Sequence, residues 1–203
     1  MAGARHSALA ALCLFTLMGC ATTRPESEGK VMAVLDQLPV ELPQARTRTP
    51  TSTLLLMSPD SQPVYDTTRI AYMEMPHRIG YFSQHEWAAT PSQMLQSLLL
   101  KMLDRAQYFR AVTVPPYAGQ YDYVLQVRIQ DLVQDFTSAA PMLRLSVHVQ
   151  LNHGASNRVL ASREIALQEA IRERTPLAGV EAANLAVAKA LRELAVFLVA
   201  ATR

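Results

Sequence analysis

Two stretches of strict alternation constrain this chain more than any other feature. Tyr121, Tyr123, Leu125, Val127 and Ile129 alternate with Asp122, Gln126, Arg128 and Gln130. Leu143, Leu145, Val147, Val149 and Leu151 repeat the pattern against Arg144, Ser146, His148, Gln150 and Asn152. In an extended backbone successive side chains point to opposite faces, so each stretch has one apolar and one polar side. Two such strands predict an antiparallel sheet with a wet face and an apolar face that demands cover.

The cover is legible too. Thr90 is a good N-cap, Pro91 suits the first helical position, and Gln93 completes a capping box. Leu95, Leu98, Leu99, Met102 and Ala106 then form one helical stripe, which predicts a helix to about Gln107. Thr175-Pro176 repeats the N-cap signal before an Ala-rich run with Val180, Val187, Leu191, Leu194 and Leu198 on one face. Further strands are expected at Thr53–Met57, Arg69–Met75, Ile79–Phe82, Tyr108–Val114 and Arg158–Gln168, the last after a hairpin loop at Asn152–Asn157. The first two read as central strands buried on both sides. The fold class is α+β: a mostly antiparallel sheet, open to parallel members, with two principal helices on its apolar face.

The N-terminus has a different character. Arg5 precedes an apolar stretch from Ala8 to Met18, too short for a transmembrane helix but suited to a secretory signal. It ends in Leu17-Met18-Gly19-Cys20, which resembles the bacterial lipobox. The resemblance implies a signal peptide over residues 1–19, cleavage before Cys20, and lipid on the Cys20 thiol and amine. Ala21 follows where Asp would retain the protein at the inner membrane, so the expected place is the periplasmic face of the outer membrane. Residues 20–50, with prolines at 25, 39, 43 and 50, read as lipidated Cys plus flexible tether. As free coil that length reaches about 30 Å. Within it, Val31–Asp36 could form one or two helical turns. The domain is expected over residues 51–203.

Composition narrows the chemistry. Nineteen basic against 17 acidic side chains exclude a nucleic-acid binder, which needs a clustered basic excess. Of the two cysteines, Cys13 leaves with the signal and Cys20 takes lipid, so no thiol remains for a disulfide, a thiolate metal site or a nucleophile. His77, His85, His148 and His153 lack metal-site spacing, Ser83, His85 and Glu86 are sequence neighbours rather than a triad, and no Gly-x-Ser-x-Gly elbow occurs. Asp131 and Asp135 would pair only on a helix, and their surroundings read as strand. No cofactor, metal or catalytic residue is expected. Two surfaces remain. Tyr81, Phe82 and Trp87 concentrate before the first helix, either sealing the sheet–helix junction or docking a partner. The polar face with Arg128, Arg144 and His148 is either solvated or a second docking face.

The order of these segments is itself informative. A Leu-Leu-Leu-Met-Ser-Pro strand and Ile70-Ala71-Tyr72 are followed by Tyr81-Phe82, Glu86-Trp87-Ala88, Pro91 and Met94-Leu95. Phe109-Arg110-Ala111-Val112, Tyr121-Asp122-Tyr123-Val124-Leu125 and Ala182-Ala183-Asn184 come next. Over roughly residues 50–200 this resembles the ABC-type transport auxiliary lipoproteins, the family of paraquat-inducible protein C. The resemblance implies a non-enzymatic component of a system moving lipids between the membranes, partnered by an MCE-domain periplasmic protein and an ABC permease and ATPase. A lipid carrier and an activator or assembly partner of another envelope machine are the alternatives. Self-association is left open. Replacing Cys20 with Ala should release a folded protein from the membrane fraction, read by fractionation of cell envelopes. Unchanged membrane association would refute the anchor.

Overall fold

The structure, a computed structural model, describes residues 29–43 and 50–202. Cys20 and the lipobox lie outside the described residues. The strands are β1 Val31–Ala33, β2 Thr53–Leu56, β3 Asp60–Ser61, β4 Arg69–Met75, β5 Arg78–Trp87, β6 Ala111–Thr113, β7 Tyr123–Asp135, β8 Met142–His153 and β9 Val159–Ala170. The helices are α1 Pro91–Ala106 and α2 Pro176–Ala201.

These strands form one mixed nine-stranded sheet organised on β7. Along one side of β7, three strands follow end to end, all parallel to it: β2 beside Tyr123–Leu125, β3 beside Arg128–Ile129 and β4 beside Gln134–Asp135. Along the other side runs β8, antiparallel over the full length, then β9. β2 adds β6 in parallel, while β4 adds β5 in a hairpin and β5 adds β1 in parallel. The long ladders are antiparallel and the short ones parallel. That follows from connection length, since tight loops can join only antiparallel neighbours. The α+β class, with two helices on the sheet, is as the alternation requires.

The alternation holds to Ile129 and then changes phase. A register shift between Ile129 and Asp131 leaves Gln130 as the extra residue of a bulge. A single inserted residue moves everything beyond it to the opposite face. Leu132 and Gln134 therefore stand opposite Leu145 and Leu143 on the helix side, while Asp131, Val133 and Asp135 take the other face. Asp131 and Asp135 are strand residues, and they share that face.

Helix α1 starts as its punctuation predicts. Thr90 Oγ1 accepts the Gln93 N–H at 3.4 Å and Gln93 Oε1 accepts the Thr90 N–H at 3.2 Å, closing the capping box. At the other end Gln107 sits at φ 53° and donates its N–H to Leu103. Helix α2 begins at Thr175-Pro176 and lays small residues, Ala182, Ala183, Ala186 and Ala190, against β8 and β9. Leu54, Leu56, Leu98, Leu99, Met102, Leu125 and Leu151 fill the space between the layers and are fully buried. Each such side chain contributes about 1.5–3 kcal/mol through removal from water.

Three expectations need correction. Val31–Asp36 forms no helical turn: Val31–Ala33 is a strand, since the edge of β5 offers hydrogen bonds no isolated turn could match. The expected tether is partly domain, because Leu35 is buried and Leu38 and Leu42 pack on the core. Strand β5 extends from Arg78 to Trp87 rather than over Ile79–Phe82, its polar half Ser83–Glu86 being held by β4 and β1. Two further adjustments are smaller. β6 is shorter than Tyr108–Val114, and β4 is buried only at Ile70 and Ala71.

The bulge creates one tight joint. Gln134, 1% exposed, donates from Nε2 to the Pro176 carbonyl at 3.0 Å, and its amide fills the space over Gly179. A Cβ on residue 179 would lie 1.9 Å from Gln134 Cδ. Gly179→Ala should therefore cost about 1–3 kcal/mol by overpacking. Adding Gln134→Ala should recover much of it, as read by paired denaturant melts. Equal losses with and without Gln134 would show that the joint is not the cause.

Candidate functional site

The aromatic residues before α1 divide on folding. Trp87 closes β5 beside Ala33 and is 3% exposed, so its ring seals the sheet–helix junction and is not presented to a partner. Tyr81 is half-buried, donating its hydroxyl to the Val64 carbonyl at 2.9 Å beneath the Arg69 guanidinium, 3.9 Å from the ring centre. Phe82 stacks on Tyr72 at 4.5 Å and meets His85 and Phe136 edge-on. Tyr81 and Phe82 thus remain partly accessible on the β4–β5 hairpin, and Trp87 does not. Ser83, His85 and Glu86 form no relay: Glu86 pairs with Lys30 and His85 lies against Phe82.

The polar sheet face is also divided. Near the start of β7 it is open, and Gln126, Arg128, Gln130, His148 and Gln150 line a shallow cleft of about 550 Å3 with Met57, Ser58 and Asp60. Arg128 grips Asp60 through Nε and Nη2 at 2.6–3.0 Å. His148 meets Ser162 at 3.2 Å. Beyond the bulge the turn before β4 covers the face. Tyr65 is buried there and donates to Asp131 at 2.9 Å, and burial, then the Asp131 carboxylate, push its hydroxyl well above the ordinary tyrosine range. Burial would raise the Asp135 carboxyl, but hydrogen bonds from the Thr137 side chain and backbone, with the Arg144 guanidinium at 3.4 Å, hold it below its usual value. Arg144 is consequently engaged with Asp135 rather than sharing an open surface with Arg128 and His148. Among the described residues no group of three or more His, Cys, Asp or Glu side chains could hold a metal ion.

A third feature, the strap from Lys30 to Pro43, has no counterpart in the sequence reading. After β1 the chain leaves the sheet edge and crosses both helices. Ala88 donates its N–H to the Ala33 carbonyl at 2.7 Å. Asn184 on α2 then clamps the next residues with one side-chain amide. Its Oδ1 accepts the N–H groups of Asp36 and Gln37 at 2.9 and 3.2 Å, and its Nδ2 donates to the Val34 carbonyl at 2.9 Å. Arg105 at the end of α1 donates to the carbonyls of Pro39 and Val40 at 3.1 and 2.9 Å, and the Tyr108 hydroxyl donates to that of Pro43. An extended segment without sheet neighbours must find partners for its backbone, and these three side chains supply them. Leu35, Leu38 and Leu42 have helical spacing, which disguises the segment. The real signal is Pro39 and Pro43, which forbid the helix while the leucines still demand burial.

The strap alters the geometry of any anchor. Cys20 precedes Lys30 by ten residues, so the two can be no more than about 36 Å apart whatever path joins them. Asn184→Ala should free the strap at a cost of about 1–2 kcal/mol, since water replaces part of what the amide supplies. Amide exchange should rise across residues 31–43 and stay slow in β7 and β8. A uniform rise through the whole domain would contradict a local clamp.

Comparison with known proteins fits this architecture. The profile of the family described as "ABC-type transport auxiliary lipoprotein component" matches residues 35–195, so it begins inside the strap. A solved structure from Xanthomonas campestris, of family DUF330, superposes with a TM-score of 0.71 at 18% identity, covering 84% of this chain and 95% of its own. A second, described as an uncharacterized protein, gives 0.65 at 13% identity over 84% of this chain and 99% of its own. At such identities the likeness concerns the fold alone. No curated protein sequence matches. With the profile running from the strap to α2, the chain belongs to the ABC-type transport auxiliary lipoprotein family.

Proposed function

We propose that this protein is the outer-membrane-anchored, non-enzymatic component of an MCE/ABC-type system that moves lipids between the two membranes of the envelope. Lipid on Cys20 holds it to the periplasmic leaflet, and the domain presents a docking surface to an MCE-domain protein that works with an ABC permease and ATPase. The family relationship supports an auxiliary lipoprotein role. The observation that carries the mechanical part is the strap. Because residues 30–43 are bonded to β5, α1 and α2, a pull on the lipid reaches the folded domain through at most ten residues rather than a thirty-residue coil. A short linkage of this kind suits a part that must hold station between a membrane and a partner.

Among the surfaces read from the sequence, Tyr81 and Phe82 are the docking residues we favour. Both are half-exposed on the β4–β5 hairpin, Phe82 beside Tyr72 and Tyr81 on the opposite face of the strand beneath Arg69, and aromatic side chains are enriched among the residues that anchor interfaces. The carrier alternative has less support, since the space between sheet and helices is filled by fully buried leucines. The test is capture of the full-length lipidated protein from cross-linked envelopes. An MCE-domain protein and ABC subunits should be recovered, and Tyr81→Ala/Phe82→Ala should reduce their yield. Recovery of cell-wall synthases alone would overturn the assignment.

A further inference from the structure

The outer surface of the helix layer carries a feature that the docking residues do not use. On α2, Leu185, Lys189, Arg192 and Val196 recur at intervals of four, three and four residues, so they form one stripe along the side away from the sheet. All four are exposed, Leu185 at 41% and Val196 at 48%. The strap runs beside this stripe and points its leucines inward, leaving Val34 and Val40 outward at 45% and 84% exposure. Between strap and stripe lies a groove of about 340 Å3 whose lining includes Val40, Leu185, Ala188, Lys189 and Arg192, with the single acidic side chain of Glu41 against the two cations. Isolated exposed apolar residues are ordinary, but a continuous set beside two long cationic side chains is not.

We infer that this strap–α2 face rests on the phospholipid surface to which the chain is anchored, with Val34, Val40, Leu185 and Val196 entering the headgroup region and Lys189 and Arg192 meeting lipid phosphates. The inference rests on the anchored reading above. Two observations select a bilayer as the occupant. The first is chain length. Val34 follows Cys20 by only fourteen residues, so the face lies within about 50 Å of the lipidated end by covalent geometry alone. Confinement at that range raises the effective concentration of the surface, so weak insertion suffices. The second is chemistry. Apolar side chains beside Lys and Arg, whose stems lie along the interface while their heads reach phosphate, is the composition of interfacial helices. Lys189 also pairs with Glu169, and its side chain remains 57% exposed.

The test uses the full mature chain carrying Cys20→Ala, exported behind a cleavable signal that adds no lipid. It should sediment with vesicles of phosphatidylethanolamine and phosphatidylglycerol, and more weakly with phosphatidylcholine alone. Val40→Asp/Leu185→Asp should reduce the partition by roughly fivefold or more, as expected when charge replaces inserted apolar area. Its circular dichroism and melting should match the parent. If that variant does not fold, Val196→Asp gives the same reading from a separate position. Sedimentation no greater than without vesicles, or equal partition of parent and variant, would overturn the inference. So would concentration-dependent self-association without vesicles that the variant abolishes, since a second copy would then cover the face. The unaltered protein, fractionated in parallel, separates the two readings. A membrane-bound native protein whose unlipidated form ignores vesicles sinks only this inference. A native protein that is not anchored sinks the anchored reading even if vesicles are bound.

Discussion

The long antiparallel ladder between Tyr123–Asp135 and Met142–His153 is the constraint on which the rest of the molecule depends. It is the longest ladder of the sheet, and it offers a free edge on each side. Val159–Ala170 takes one edge, continuing the antiparallel half. The other edge is shared among three short parallel strands that could not pair with one another or stand alone. Removing that ladder would leave Thr53–Leu56, Asp60–Ser61 and the start of the β4–β5 hairpin without a common register.

The bulge at Gln130 turns this ladder from a uniform surface into two. Before it, the polar face is open and carries the Arg128–Asp60 pair. After it, Tyr65, Asp131, Arg144 and Asp135 form a covered polar network, while Gln134 passes to the helix side and docks on the start of α2. One inserted residue thereby fixes both where solvent reaches the sheet and where the last helix begins. The cost is a buried amide beside a glycine, and Gly179 is the small residue that accommodates it.

Much of this was legible in the sequence for identifiable reasons. The capping box of Thr90 and Gln93, the Thr175-Pro176 start and the alternation of Leu143–Leu151 are local signals, each set by bonds or periodicities spanning a few residues. What escaped depended on distant partners. Val31–Ala33 is a strand only because β5 lies beside it, and the strap is extended only because Asn184, Arg105 and Tyr108 receive its backbone. Trp87 shows the same limit at the site. Its position in a run of aromatic residues fits either sealing the sheet–helix junction or docking a partner, and only the packed sheet and helices decide that Tyr81 and Phe82 keep an accessible side and Trp87 seals.

The sequence by itself determined the α+β layering, the two capped helices and the sheet's apolar face, because periodicity and capping act over one or two turns of chain. It also carried the lipobox resemblance, since a processing signal is read from adjacent residues. Only the tertiary structure decided where the domain begins, which aromatic rings can meet a partner and which face of α2 stands beside the strap. Those outcomes are set by contacts between residues up to 150 positions apart, as when Asn184 holds the carbonyl of Val34. Such contacts leave no periodic trace in the chain, so their consequences become visible only once it is folded.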